Sequence, residues 1–281
     1  MKHKNNVISG YNSEINKGIN YSNKGNFEKA EESFLKAINI NKLNHLAYIN
    51  LSNIYVIEKK INKSTKILFD FLEKNGFHEK AIVQLAKICI NFNLENEIIK
   101  LFNTYDLNKN KIEIKNRYLY FYQAYYYERK DNIKKAIVAY KNSILCDRNL
   151  FIPLQMLLNL LEKNNDIKNF KKYLKTNSKN TYNQIENNIL DYYKCVLLYR
   201  EKKFKDSNEL IHNTDLLKKL NMFEDIKIKL HDIQAKNYEN LRDYQNAYIN
   251  ILIRNKIINN KKENNKFDKK IIINTIEKYK K

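Results

Sequence analysis

One spacing recurs along this 281-residue chain and restricts its fold more than any other feature. It first stands at residues 18–37, GINYSNKGNFEKAEESFLKA, where Gly18 precedes Tyr21 by three residues and Ala30 precedes Phe34 by four. Gly25 and Asn26 mark a break between the two halves. Small residues at Gly18 and Ala30 let two helix backbones come close, and Tyr21, Phe27 and Phe34 fill the space beside that contact. The pattern therefore predicts two amphipathic helices joined by a sharp turn.

The same arrangement returns roughly every 34 residues. In residues 45–78, Tyr48, Leu51, Ser52 and Tyr55 occupy the first helix, Ser64 and Leu68 the second, and Gly76 ends the unit as a helix cap. Residues 79–112 are more degenerate, with Leu85 and Ala86 followed by Ile98 and Phe102; the bulky Ile98 should push the two helices apart. A short insertion is expected near residues 111–115. In residues 117–150 the pattern is clear again, with Ala124, Tyr127, Asn132, Ala136 and Tyr140 in place. Residues 151–184 carry Leu154, Leu157, Leu158 and Leu161, then Asp166 as a helix cap. Residues 188–220 place Cys195 at the small position, Phe204 at the aromatic position and Ser207 opposite. In residues 228–261, Ala235, Tyr238, Asp243, Tyr244 and Ala247 fit closely.

These spacings resemble the tetratricopeptide repeat (TPR), G-x2-Y followed by A-x3-F, and the resemblance runs almost the length of the chain. It implies an all-α fold, a TPR-type right-handed α-solenoid of about seven helix-turn-helix repeats. Residues 1–10 form a polar N-terminal tail in this reading, residues 11–260 the solenoid, and residues 267–281 a C-terminal capping helix that covers the last repeat. A narrower resemblance begins near Lys227: Asp243, Tyr244, Ala247, Tyr248 and Asn255 look like the junction where a bacterial TPR array leads into a sulfotransferase domain. It implies a repeat module without its enzyme, since no donor-binding loop precedes Lys281.

No catalytic chemistry is legible. Phosphate-binding loops need glycine for close backbone approach, and no glycine follows Gly76. Carboxylates such as Glu31, Glu32, Glu128 and Asp191 sit at helical spacing on a lysine-rich surface, where they read as solvated charges. His3, His45, His78, His212 and His231 are scattered, so no metal site is expected, and no cofactor. Cys89, Cys146 and Cys195 read as buried packing residues in a reducing compartment.

Lys and Arg total 52 against 31 Asp and Glu, a formal net charge of +21. That charge alone suggests nucleic acid, an acidic protein or an anionic surface as partner. Lysine is spread over nearly every segment and accompanies an Asn-, Ile- and Tyr-rich composition, which points to coding bias and disfavours specific nucleic-acid binding. The basic N-terminus has no apolar stretch behind it, and the longest apolar run, residues 150–161, is too short to span a bilayer. A soluble cytoplasmic protein is expected.

In a TPR array the first helix of each pair lines the concave groove. That face selects Asn53, Lys87, Tyr118, Phe121, Tyr125, Arg129, Asn159, Tyr192, Tyr199, Arg200 and Lys236. Aromatic rings, cations and amides of this kind suit an extended peptide with acidic residues. The tyrosines suit groove and core equally well, whereas Arg129 and Arg200 belong at the surface because an unpaired buried guanidinium is expensive. Where a carboxylate-clamping TPR would carry Lys and Asn, this chain has Ile15 and Ile19 in the first repeat and Ile49 with Asn53 in the second, so a chaperone-tail clamp is disfavoured. The reading is a non-catalytic protein-binding scaffold. Its alternatives are the recruiting arm of a sulfotransferase and an RNA or anionic-surface binder.

Overall fold

The computed structural model describes residues 2–105, 116–177 and 180–278, with side chains described for 8–105, 116–177 and 180–262. Among them every regular element is a helix, and the helices fall into seven pairs. The pairs are α1 (Lys2–Asn23) with α2 (Phe27–Ile40), α3 (His45–Ile57) with α4 (Ile61–Asn75), and α5 (Glu79–Asn91) with α6 (Glu95–Thr104). Next come α7 (Arg117–Arg129) with α8 (Ile133–Cys146), and α9 (Phe151–Lys163) with α10 (Ile167–Asn177). Then α11 (Gln184–Arg200) pairs with α12 (Phe204–Asn213), the single turn α13 (Leu216–Lys219) follows, and α14 (Glu224–Asn240) pairs with α15 (Tyr244–Lys278). The helices gather into two compact units, Met1–Pro153 and Leu154–Lys281. The boundary falls in the first turn of α9, where proline is tolerated because the first amides of a helix have no internal partner.

Each pair turns through three residues in the same way. The middle residue has a left-handed backbone: Gly25 in the first turn (φ 74°), then Lys59, Asn93, Asp131, Asn165, Lys202 and Arg242 (φ 55–62°). The amide of the third residue reaches back to a carbonyl five residues earlier, from Asn26 to Tyr21 through Asp243 to Tyr238, at 2.7–2.9 Å. This closure satisfies a carbonyl the helix end would otherwise leave bare. The third residue often caps the next helix too. Asn26, Asn132, Asp166 and Asp243 accept from the amides of Lys29, Lys135, Asn169 and Asn246.

The small residues lie where the spacing puts them. A Cβ added to Gly18 would stand 2.5 Å from the Phe34 ring, so α1 and α2 meet only because that carbon is missing. Ala30, Ala136 and Ala247 are buried, as are Ser52, Ala86, Ala124 and Cys195. Where serine replaces alanine in the second helix, its hydroxyl finds a backbone partner across the contact. Ser64 Oγ donates to the Ser52 carbonyl at 2.8 Å, and Ser207 Oγ to the Cys195 carbonyl at 3.1 Å. Ile98 is buried, and α5 and α6 pack more sparsely than α1 and α2.

The structure departs from the sequence reading in several places. Residues 2–10, expected as a tail, are the opening of α1. The polar stretch 259–266, expected to separate a capping helix, is helical, so residues 267–278 continue α15. No glycine or proline interrupts that segment, Lys and Glu are good helix formers, and Asn disfavours a helix too weakly to end one. α11 starts at Gln184, before the expected 188, because Asn183 and Glu186 form a reciprocal capping box. Phe204 opens α12, and Leu198 holds the first-helix position that had been given to it. The insertion expected at 111–115 lies outside the described residues.

Candidate partner-binding face

In the first unit, the predicted residues of α3, α5 and α7 are all exposed or half-buried. Asn53 is exposed and accepts a 2.6 Å hydrogen bond from Gln84 Nε2, which ties α3 to α5. Lys87 is exposed, and Tyr118, Phe121 and Tyr125 are half-buried. Of the aromatic run in α7, only Tyr120 is fully buried, so most of its rings keep an open edge. Arg129 is exposed and donates to Asn93 Oδ1 at 3.3 Å. It borders a recess of about 140 Å³ lined by Cys89, Asn93, Glu95, Tyr126 and Lys130. There Tyr126 Oη and Lys130 Nζ both donate to Glu95 at 2.8 Å. Those bonds hold the Glu95 carboxyl below its usual range, while burial and then Glu95 push the Tyr126 hydroxyl up to about 12.

The second unit assembles a tighter group. A recess of about 150 Å³ opens among α9, α11 and α14, lined by Glu162, Tyr192, Val196, Tyr199, Arg200, Lys229, Asp232, Ile233 and Lys236. It brings together four residues predicted from the sequence, Tyr192, Tyr199, Arg200 and Lys236. Asn159 lies one turn from Glu162 on α9 and accepts from Tyr193 Oη at 2.9 Å. Tyr192 is a correction to the groove reading: it is 3% exposed, a core ring that closes one wall. Its hydroxyl is pushed up, first by burial and then by the nearby Glu162.

The charges of this recess are arranged in pairs, with one exception. Arg200 donates to Glu162 at 2.9 Å, and Lys236 to Asp232 at 2.6 Å. Arg254 of α15 also holds Asp232. Burial opposes the Asp232 charge, but the hydrogen bonds from Lys236 and Arg254 prevail and keep its carboxyl below the usual range. Lys229 is exposed and has no ion-pair partner among the described residues. The sequence reading missed Glu162, Lys229 and Asp232. A signal existed, because Asp232 and Lys229 lie four and seven residues before Lys236, on the same stripe of α14.

Among the described residues no cluster of three or more His, Cys, Asp or Glu is placed to hold a metal ion. None of their helices is long and apolar enough to cross a membrane. Burial pushes the Cys89 and Cys195 thiols up to about 12 and that of Cys146 to about 11, so all three are poor nucleophiles.

Paired helices, small residues at most of their crossings and a left-handed turn in every pair define an all-helical fold of the tetratricopeptide type. Residues 15–42 match the tetratricopeptide repeat family model. Among solved structures, pilF of Pseudomonas aeruginosa is similar at 12% identity over 82% of this chain and 99% of that one, with a TM-score of 0.53. A tetratricopeptide repeat protein from Parabacteroides merdae matches at 13% identity over 89% and 93%, with a TM-score of 0.48. No curated protein matches by sequence. The residues behind the sulfotransferase resemblance have repeat roles: Asp243 caps α15, Ala247 is buried at the crossing, and Tyr244 and Tyr248 are exposed.

Proposed function

We propose that this chain is a non-catalytic scaffold that holds a protein or peptide partner on its first-helix faces, and that the recess of the second unit takes an acidic segment of that partner. The observation that carries this reading is the charge of the recess. Arg200, Lys229 and Lys236 face Glu162 and Asp232, which leaves a net positive pocket with one unpaired ammonium. The half-buried Tyr199 ring adds an apolar wall with a polar tip, suited to an extended backbone. Three buried free thiols agree with a reducing compartment such as the cytoplasm.

The test is a fluorescence polarisation titration of the purified chain with a pool of acidic peptides and a matched basic pool. Lys229→Glu inverts the recess charge without breaking an ion pair of the array, so acidic-peptide binding should fall several-fold while the helical spectrum stays unchanged. Equal binding of both pools, or indifference to Lys229→Glu, would refute the reading. The +21 charge supports a second reading, binding of RNA or an anionic surface. Retention on RNA that persists above physiological salt would favour it, since attraction by scattered lysines fades with salt. The sulfotransferase-arm reading rests on sequence resemblance alone and requires an in-frame glycine-rich loop beyond codon 281.

A further inference from the structure

The second helix of a pair ordinarily serves the pair that follows it. Glu31 on α2 accepts from Tyr55 Oη of α3 at 2.7 Å, and Glu95 on α6 accepts from Tyr126 and Lys130 of α7. Counted from the left-handed turn residue, Glu95 is two places on and Glu31 six. The same places on α15 hold Tyr244 and Tyr248, and they are 66% and 61% exposed. Leu252 continues their strip, with Ile249 and Ile253 beside it, all exposed at 40–49%. Residues 244–253, YQNAYINILI, contain no charge, on a chain that is 30% charged overall.

We propose that this face of α15 is a homodimer contact, with the helices of two copies crossing antiparallel about a two-fold axis. Three observations select a second copy. First, the face occupies the places with which α2 and α6 receive the following pair. Second, α1 does not complement it: its places that match Tyr126 and Lys130 hold Asn20 and Lys24, exposed and polar, with exposed Lys17 a turn before. An apolar strip finds its complement in its own copy, which is the isologous solution. Third, α15 turns basic after Ile253, with Arg254, Lys256, Lys261 and Lys262. Antiparallel crossing over the neutral segment sends the two basic halves to opposite sides, where parallel pairing would press them together. The exposed parts of the five side chains supply roughly 500 Å² per copy against about 800 Å² in a standard interface, the size of a small, transient contact.

Analytical ultracentrifugation of the full chain from about 1 to 200 μM tests this. A monomer–dimer equilibrium is expected, and Tyr248→Lys with Leu252→Lys should abolish it without changing the helical spectrum. In an antiparallel crossing centred between Tyr248 and Ile249, Ile249→Cys should oxidise to a covalent dimer and nothing larger. A monomer at every concentration would overturn the proposal, as would an open-ended ladder of oligomers or a dimer indifferent to the double substitution.

Discussion

The left-handed turn residues offer a direct measure of how far the sequence departs from what its fold requires. Only the first of the turns uses glycine; Lys59, Lys202 and Arg242 hold φ of 59°, 60° and 62° with side chains in solvent and no partners among the described residues. An L-residue in that conformation is disfavoured by about 1–2 kcal/mol, from which glycine's greater freedom when unfolded subtracts about 0.5–1 kcal/mol. Each change to glycine should therefore stabilise its unit by about 0.5–1 kcal/mol, and Lys202→Gly with Arg242→Gly together by about 1–2 kcal/mol. For units of this size that corresponds to a rise of roughly 2–6 °C in melting midpoint, readable by circular dichroism. Lys60→Gly is the control, since Lys60 has φ −86° and gains nothing from left-handed freedom. Gly25→Ala should lose about 1 kcal/mol or more by the reverse argument. If Lys59→Gly behaves like Lys60→Gly, or Gly25→Ala is neutral, the turns are not strained and the reasoning fails.

Gly18→Ala should destabilise the first unit by an amount typical of overpacking, about 1–3 kcal/mol, because the Phe34 ring 2.5 Å from the new carbon must move; Phe34→Leu in the same chain should recover part of the loss in thermal melts. His45 and His78 stack with ring centres 4.1 Å apart beside Phe71, and both titrate below the ordinary 6.5, chiefly through burial, with Lys80 adding to each and His78 to His45. Glu79 opposes that shift at His78. The unfolded chain therefore takes up protons first, so stability is constant above about pH 7 and falls as pH drops through 6.5 toward the depressed folded values. Urea midpoints of the first unit at pH 7.5 and 5.5 check this, and His45→Phe with His78→Phe should flatten the difference. Ser64→Ala should change stability by no more than about 1 kcal/mol, since it trades a hydroxyl bonded to the Ser52 carbonyl for the alanine usual at that crossing.

What could be read in advance divides along physical lines. The crossings were legible because close approach tolerates few residue types, so Gly18, Ala30, Ala136 and Ala247 announce themselves by size and spacing. Caps at Asn26, Asn132, Asp166 and Asp243 were legible because a side-chain acceptor before a helix has a definite job. The start of α1 and the extent of α15 were not legible: Gly10 stands at the expected boundary yet α1 runs through it, and no proline or glycine marks a stop in α15. The sixth pair slipped because Leu198 occupies the aromatic place, and Phe204, the first residue of the next helix, was read into it. On the first-helix faces, the sequence could not show that Asn53, Asn159, Arg129 and Arg200 engage side chains of other elements. Those contacts depend on which helices lie side by side.

That engagement bears on how a partner would be bound. An exposed or half-exposed ion pair contributes about 0–1 kcal/mol, because solvent screens the attraction and holding two long side chains has an entropic penalty. Arg200 and Glu162, with side chains 36% and 26% exposed, can thus separate to admit a ligand carboxylate at small loss. The internal carboxylate competes with the ligand for the same guanidinium. Removing it should tighten binding: Glu162→Gln keeps the shape of the side chain, deletes its charge and frees Arg200. The gain is bounded by the strength of the pair, so acidic peptides should bind about 2–5-fold more tightly to Glu162→Gln. The advantage should shrink as salt rises past the point where the screening length falls below the recess dimensions. A structural role for Glu162 predicts the opposite, weaker binding and a lower melting midpoint, since the link from α9 to α11 would be lost. A polarisation titration at two salt concentrations, paired with a thermal melt, separates these outcomes. Weaker acidic-peptide binding by Glu162→Gln with an unchanged melt would mean that Arg200 does not meet the ligand, and would move the contact to Lys229 and Lys236 alone.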